Sequence, residues 1–169
     1  MYSLHVCGEV KMKTKWVHVI ALLALVIAAG IARAASTEIV TRATRGQFED
    51  VKERVVLAIE NRGLVLNYTA RVGAMLERTG KDIGSSRPIY TKAEVLEFCS
   101  ARLSRDTMEA DPRNIVFCPY AIAIYALPQE PGTVHVAYRK LGAPGSGPSV
   151  KALRAVETLL DEIVRAALR

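Results

Sequence analysis

Residues 115–141 read IVFCPYAIAIYALPQEPGTVHVAYRKL, and this stretch decides the fold. Ile115 to Leu127 is dense in Ile, Val, Phe and Tyr, Pro128-Gln129-Glu130-Pro131-Gly132 interrupts it, and an alternating run follows from Thr133 to Leu141. β-Branched and aromatic side chains suit a half-buried pleated surface. A short Pro/Gly-rich break between two such runs marks a hairpin, and strands joined by a tight turn are antiparallel. Because side chains alternate along a strand, the first run is expected to place Val116, Cys118, Tyr120, Ile122 and Ile124 on one face. Phe117, Pro119, Ala121, Ala123 and Tyr125 take the other. In the second run Val134, Val136 and Tyr138 oppose His135, Ala137 and Arg139. The face with Ile122, Ile124, Val134 and Val136 reads as core.

Upstream of the hairpin, Thr37 to Thr44 reads as a first strand. Phe48, Val51, Val55, Ala58 and Ile59 then recur at helical spacing, with Gly63 as the C-terminal cap. Leu64 to Val72 is a second strand, Ala74 to Thr79 a short helical turn among glycines, and Ala93 to Cys99 a third strand with Leu96 and Phe98 inward. Ser100 is placed to cap a helix over Ala101 to Glu109, which Asp111-Pro112 stops. Beyond the hairpin, Gly142 to Pro148 is a connection, and Ser149 opens a last helix with a stripe of Leu153, Val156, Leu160, Ile163, Val164 and Ala167. Amphipathic helices need a sheet face on which to bury their stripes. The expected architecture is α+β: a two-layer sandwich with a mainly antiparallel sheet of about five strands and the helices packed on one face.

The start of the chain carries an address. Lys11, Lys13 and Lys15 precede an uncharged run from Trp16 to Ile31, which closes on Ala32-Arg33-Ala34. A charged start, a short apolar run and small residues at the end form a secretory signal peptide, and the run is shorter than the roughly 20 residues that a spanning helix needs. The expectation is a signal peptide over residues 1–34, cleaved after Ala34, and one α+β domain over residues 35–169 in the periplasm. The chain carries a formal charge of +6, much of it from Lys11, Lys13, Lys15 and Arg33. What remains is mild and unclustered, which argues against nucleic acid as a partner, and after cleavage no membrane segment is expected.

Phe98-Cys99, Asp111-Pro112 and Phe117-Cys118-Pro119-Tyr120 carry a family likeness. With the strand, short helix and hairpin around them, over roughly Ile39 to Leu141, the chain resembles the domain of unknown function 302 family. The resemblance implies the same α+β fold and no agreed activity. From some exported members of that family it implies haem binding or work near sulfur and metal metabolism. No Cys-x-x-Cys-His occurs in the sequence, which excludes covalent haem attachment.

Three groups of residues are candidates for function. Cys99 and Cys118 are the cysteines that remain after loss of Cys7 with the leader, and an oxidising compartment permits a disulfide. Strand parity places Cys99 with Val95 and Glu97, opposite the core face that would hold Cys118, so the sulfurs are expected to face apart unless a bulge at Pro119 intervenes. A structural disulfide, two separate thiols and a reactive or metal-binding thiol pair all remain open. His135, Tyr125, Ala123 and Ala137 lie together on the uncovered sheet face, a surface for a ligand, a planar cofactor or a second copy of the chain. There His135 is the candidate ligand to haem or a metal ion, with Met75, Met108, a cysteine or a symmetry mate to complete an iron site. The carboxylate pairs Glu94/Glu97 and Glu109/Asp111 face no base, and Gly142-Ala143-Pro144-Gly145-Ser146-Gly147 lacks the Lys-Ser/Thr ending of a phosphate loop. The expected function is therefore an exported, non-enzymatic ligand- or partner-binding domain, most readily a homodimer. The alternatives are haem or metal binding through His135, and a thiol-based redox enzyme using Cys99 and Cys118.

Overall fold

The computed structural model describes residues 38–85, 87–142 and 147–169. The expected signal peptide, residues 1–34, lies outside the described residues. Strands β1 (Ile39–Arg45), β2 (Val65–Ala70), β3 (Lys92–Cys99), β4 (Tyr120–Ala126) and β5 (Thr133–Arg139) alternate with helices α1 (Phe48–Glu60), α2 (Val72–Asp82), α3 (Ala101–Ala110) and α4 (Pro148–Ala167), and a 3-10 turn covers Pro112–Phe117. The five strands form one sheet in the order β1-β5-β4-β3-β2, and every neighbouring pair is antiparallel. This is the α+β sandwich expected from the residue pattern.

One face of the sheet is core. Leu96, Phe98, Tyr120, Ile122, Ile124, Val134, Val136 and Tyr138 meet Phe48, Val51, Val55, Ala58 and Ile59 of α1 and the stripe Leu153, Val156, Leu160, Ile163, Val164 and Ala167 of α4. Each fully buried side chain of this kind contributes roughly 1.5–3 kcal/mol relative to exposure, which holds both helices on the sheet. Gly63 sits at φ +70° just past the end of α1, a left-handed conformation that costs glycine nothing, and its amide donates to Glu60 O at 2.8 Å. Ser100 caps α3 as expected, its Oγ accepting from the Leu103 amide at 3.4 Å.

Three expectations need correction. The strand expected from Ile115 begins only at Tyr120. The Asp111 carboxylate accepts from the Arg113 amide at 3.0 Å, and Pro112 takes the first turn. Asp-Pro therefore starts a second, tight helical turn as well as ending α3. Val116, expected in the core, is 72% exposed. The second correction concerns the turn expected over Ala74 to Thr79, which is a full helix, α2. Here Gly73 is not a breaker but a point of close approach: a Cβ there would stand 2.8 Å from the backbone N of Ala93. Third, Ser149 does not cap α4, whose first turn opens at Gly147 with no side-chain cap; Ser149 Oγ instead accepts from Asn114 Nδ2 at 2.9 Å.

At the β2 margin the ladder slips between Leu66 and Tyr68, leaving Asn67 as a bulge. The slip puts Tyr68 beside Glu97 on the face away from α1 and α4, where Tyr68 is largely exposed. No helix among the described residues is long and apolar enough to cross a membrane.

Candidate functional site

The uncovered sheet face is built from the positions that alternate with the core. On β4 and β5, Ala123 pairs with Ala137 and Tyr125 with His135; on β3, Val95 pairs with Ala123 and Glu97 with Ala121. Small side chains at the centre leave the backbone shallowly covered. A groove of about 410 Å³ opens there, lined on this face by Val95, Ala121, Ala123 and Ala137 and by Ile39 of β1. It turns round the end of the sheet, where Phe117 and Pro119 precede β4 and Arg139 and Leu141 close β5, and reaches Leu160 of α4. Arg139 is the one charged residue in this lining, and it forms no ion pair among the described residues. The sequence put Arg139 on the correct face but gave no reason to single it out, because the part of the groove at the sheet end is made by Phe117 and Pro119, where the 3-10 turn leads into β4.

His135 occupies the opposite end of the face. Its ring stacks on Tyr125 with centroids 4.9 Å apart and planes 12° from parallel, Tyr90 meets Tyr125 edge-on at 5.8 Å, and Nε2 lies 2.9 Å from Glu130 Oε2. The His135 side chain is only 13% exposed. An iron ligand needs a ring nitrogen aimed into open space. This ring already spends one nitrogen on a carboxylate and one face on a tyrosine. Met75 lies on α2 and Met108 on α3, neither of them on an element of this face, and no group of three His, Cys, Asp or Glu able to hold a metal occurs among the described residues. The contact with Glu130 leaves Nδ1 as the ring nitrogen that would have to ligate a metal. Of the four face residues singled out from the sequence, Ala123 and Ala137 line the groove and Tyr125 and His135 form a separate aromatic stack.

Against the expectation from strand parity, the two cysteines come together. Cys99 Sγ and Cys118 Sγ lie 3.0 Å apart. Parity failed because the count ran through Pro119 as if the strand were continuous, whereas Cys118 closes the 3-10 turn with its amide donating to Ile115 O at 3.1 Å. The Cys118–Pro119 peptide is cis. Both cysteines are half-buried and unbridged. Burial, and after it the neighbouring Cys118 thiol, pushes the Cys99 thiol up to about 11.

A polar cluster missed by sequence reasoning backs the thiols. Ser104 Oγ lies 3.7 Å from Cys118 Sγ and donates to the Tyr120 hydroxyl at 3.2 Å. Burial raises the Tyr120 phenol above its ordinary range. One turn further along α3, Thr107 Oγ1 donates to Ser104 O at 2.9 Å, and buried Asn114 donates to Thr107 O at 2.8 Å. The signal for Asn114 was slight: a polar residue inside a hydrophobic run, where an unpaired amide is costly.

No curated protein matches the sequence. A crystal structure of an uncharacterized conserved protein DUF302 from Bacillus stearothermophilus superposes with a TM-score of 0.62 at 17% identity, over 78% of this chain and 98% of that one, a likeness of fold. The family model of the domain of unknown function DUF302 matches residues 40–167. With that span covering most of the described residues and the fold shared, the chain belongs to the DUF302 family.

Proposed function

We propose that this protein is an exported binding module, and that the groove on its uncovered sheet face takes a small apolar molecule with an anionic group. Export is supported by the leader pattern in residues 11–34. The observation that carries the reading is the groove itself: about 410 Å³ of mainly apolar lining with Arg139 as its single charge. That volume is in the range of small-molecule sites, which are largely apolar with a few placed polar groups. A guanidinium with no carboxylate partner among the described residues is suited to grip one by two parallel hydrogen bonds. Apolar contact with Ala123, Ala137, Val95 and Ile39 would supply affinity, and Arg139 would set orientation.

Calorimetric titration with decanoate tests this. Arg139→Gln is expected to weaken binding by about tenfold, the loss of one charge-assisted contact, and Ala123→Trp to abolish it by filling the groove. Decanoate that gives no heat with the wild type, or heat untouched by both substitutions, would defeat the reading.

Self-association is the second reading, because the same face also exposes Val65 and Tyr68 on β2. A homodimer would bury these with the alanine centre of the sheet. Sedimentation equilibrium would then show a dimer that Ala123→Arg converts to monomer.

A further inference from the structure

The paired sulfurs have no part in the groove reading, and they are arranged for a reaction. Each is anchored by a different element. Cys99 is the last residue of β3, in register with Val65. Cys118 ends the 3-10 turn, fixed through its amide to Ile115 O. Two rigid attachments therefore hold the sulfurs 3.0 Å apart, and an exchange reaction needs no large rearrangement to join them. Both residues are half-buried, not sealed in the core. No third ligand completes a metal site among the described residues.

The surroundings distinguish the two sulfurs. Cys118 has a hydrogen-bonding neighbour on either side, the Cys99 thiol at 3.0 Å and the Ser104 hydroxyl at 3.7 Å. Both groups can turn to donate to a thiolate. Cys99 has no such hydroxyl among the described residues; the Tyr120 amide reaches it, but its burial is the larger effect and favours the protonated form.

We propose that Cys99 and Cys118 form a thiol–disulfide exchange site whose co-reactant is a small-molecule disulfide, with Cys118 as attacking sulfur and Cys99 as resolving sulfur. Cys118 loses its proton and attacks one sulfur of the incoming disulfide. That S–S bond breaks, a mixed disulfide forms on Cys118, and the first half leaves as a thiolate that takes up the proton. Cys99 then ionises and attacks Cys118 Sγ. The mixed disulfide breaks, the Cys99–Cys118 bond forms, and the second half leaves as a thiol. One external disulfide is reduced to two thiols as two protein thiols are oxidised to one disulfide, with no net gain or loss of protons or electrons.

The test exposes the reduced, folded full-length chain to oxidised glutathione, quenches by alkylation and maps the tryptic peptides. The expected product joins residues 93–102 to residues 114–139 and is reversed by dithiothreitol. Cys99→Ser should stop at a stable glutathione adduct on Cys118, and Cys118→Ser should be modified at Cys99 at least about tenfold more slowly. Folded wild-type protein in which both peptides stay separate and alkylated would overturn the site, as would a bridge from either cysteine to Cys7. Equal rates for the two serine variants would overturn the assignment of the attacking sulfur.

Discussion

Asn114 shows how a single polar side chain can organise its surroundings. Its amide donates to Thr107 O at 2.8 Å on α3 and to Ser149 Oγ at 2.9 Å on α4, while its carbonyl accepts from that hydroxyl at 3.3 Å. One buried side chain thus joins the 3-10 turn to two helices. Asn114→Ala is expected to lower unfolding stability by about 2 kcal/mol, because a buried acceptor on Thr107 loses its extra partner and a small cavity opens. Urea unfolding measures this, and a change within about 0.5 kcal/mol, ordinary for surface positions, would contradict it. Asp161 has a comparable role nearer the surface. Its carboxylate takes Arg42 Nη2 at 2.8 Å and also contacts Arg165 and the Tyr138 hydroxyl. The Arg42 contact, the largest effect, holds this carboxyl below the usual carboxylate range.

At the level of elements, most of the fold is legible in the sequence, for a physical reason. The hairpin β4–β5, helix α1 and helix α4 each carry a period that a single buried face imposes, and Ile122, Ile124, Val134, Val136 and the α4 stripe are all core. Legibility fails where one residue type serves two purposes. Asp111-Pro112 both ends α3 and starts the next turn, so Ile115 to Phe117 wore a strand's composition in a helical conformation. That one misreading turned Cys118 away from Cys99 and concealed the contact between the two sulfurs. The groove was half legible: Ala123 and Ala137 followed from alternation, while Phe117, Pro119 and Arg139 depend on the three-dimensional turn at the sheet end. Gly73 illustrates the same duality. It reads as a helix breaker, yet it lies inside α2 because only a residue without Cβ clears the backbone of Ala93 at the start of β3. Gly73→Ala should therefore destabilise by about 1–3 kcal/mol through overpacking, even though alanine is the better helix former. A thermal melt showing a gain in stability would refute this packing account.

The molecule as a whole should be less stable in alkali. Cys99 is pushed from an ordinary 9.0 to about 11, and Tyr138 from 10.0 to about 12, burial leading and the Asp161 carboxylate following. Both groups hold their protons more tightly folded than unfolded. Their contribution is whole below the ordinary values and disappears as pH rises through the folded ones. The urea midpoint of the reduced protein is expected to hold up to about pH 9 and to fall between there and about pH 12, and Cys99→Ser combined with Tyr138→Phe should flatten that fall. A profile equally steep in the double variant would assign the loss to other groups.

The slip at Asn67 also bears on how these molecules behave when crowded. An open sheet offers a row of free amides and carbonyls along each outer strand, and a stranger's strand extends whichever row is continuous. Here the row on β2 is broken in its middle, while β1 pairs along its whole length with β5 in unbroken register and so keeps an even outer rail. With one even rail per molecule among the described residues, two copies that zip together would use up both. Growth by strand addition would then stop at a sealed pair, and a single displaced residue would be what stands between this sheet and an endless fibre.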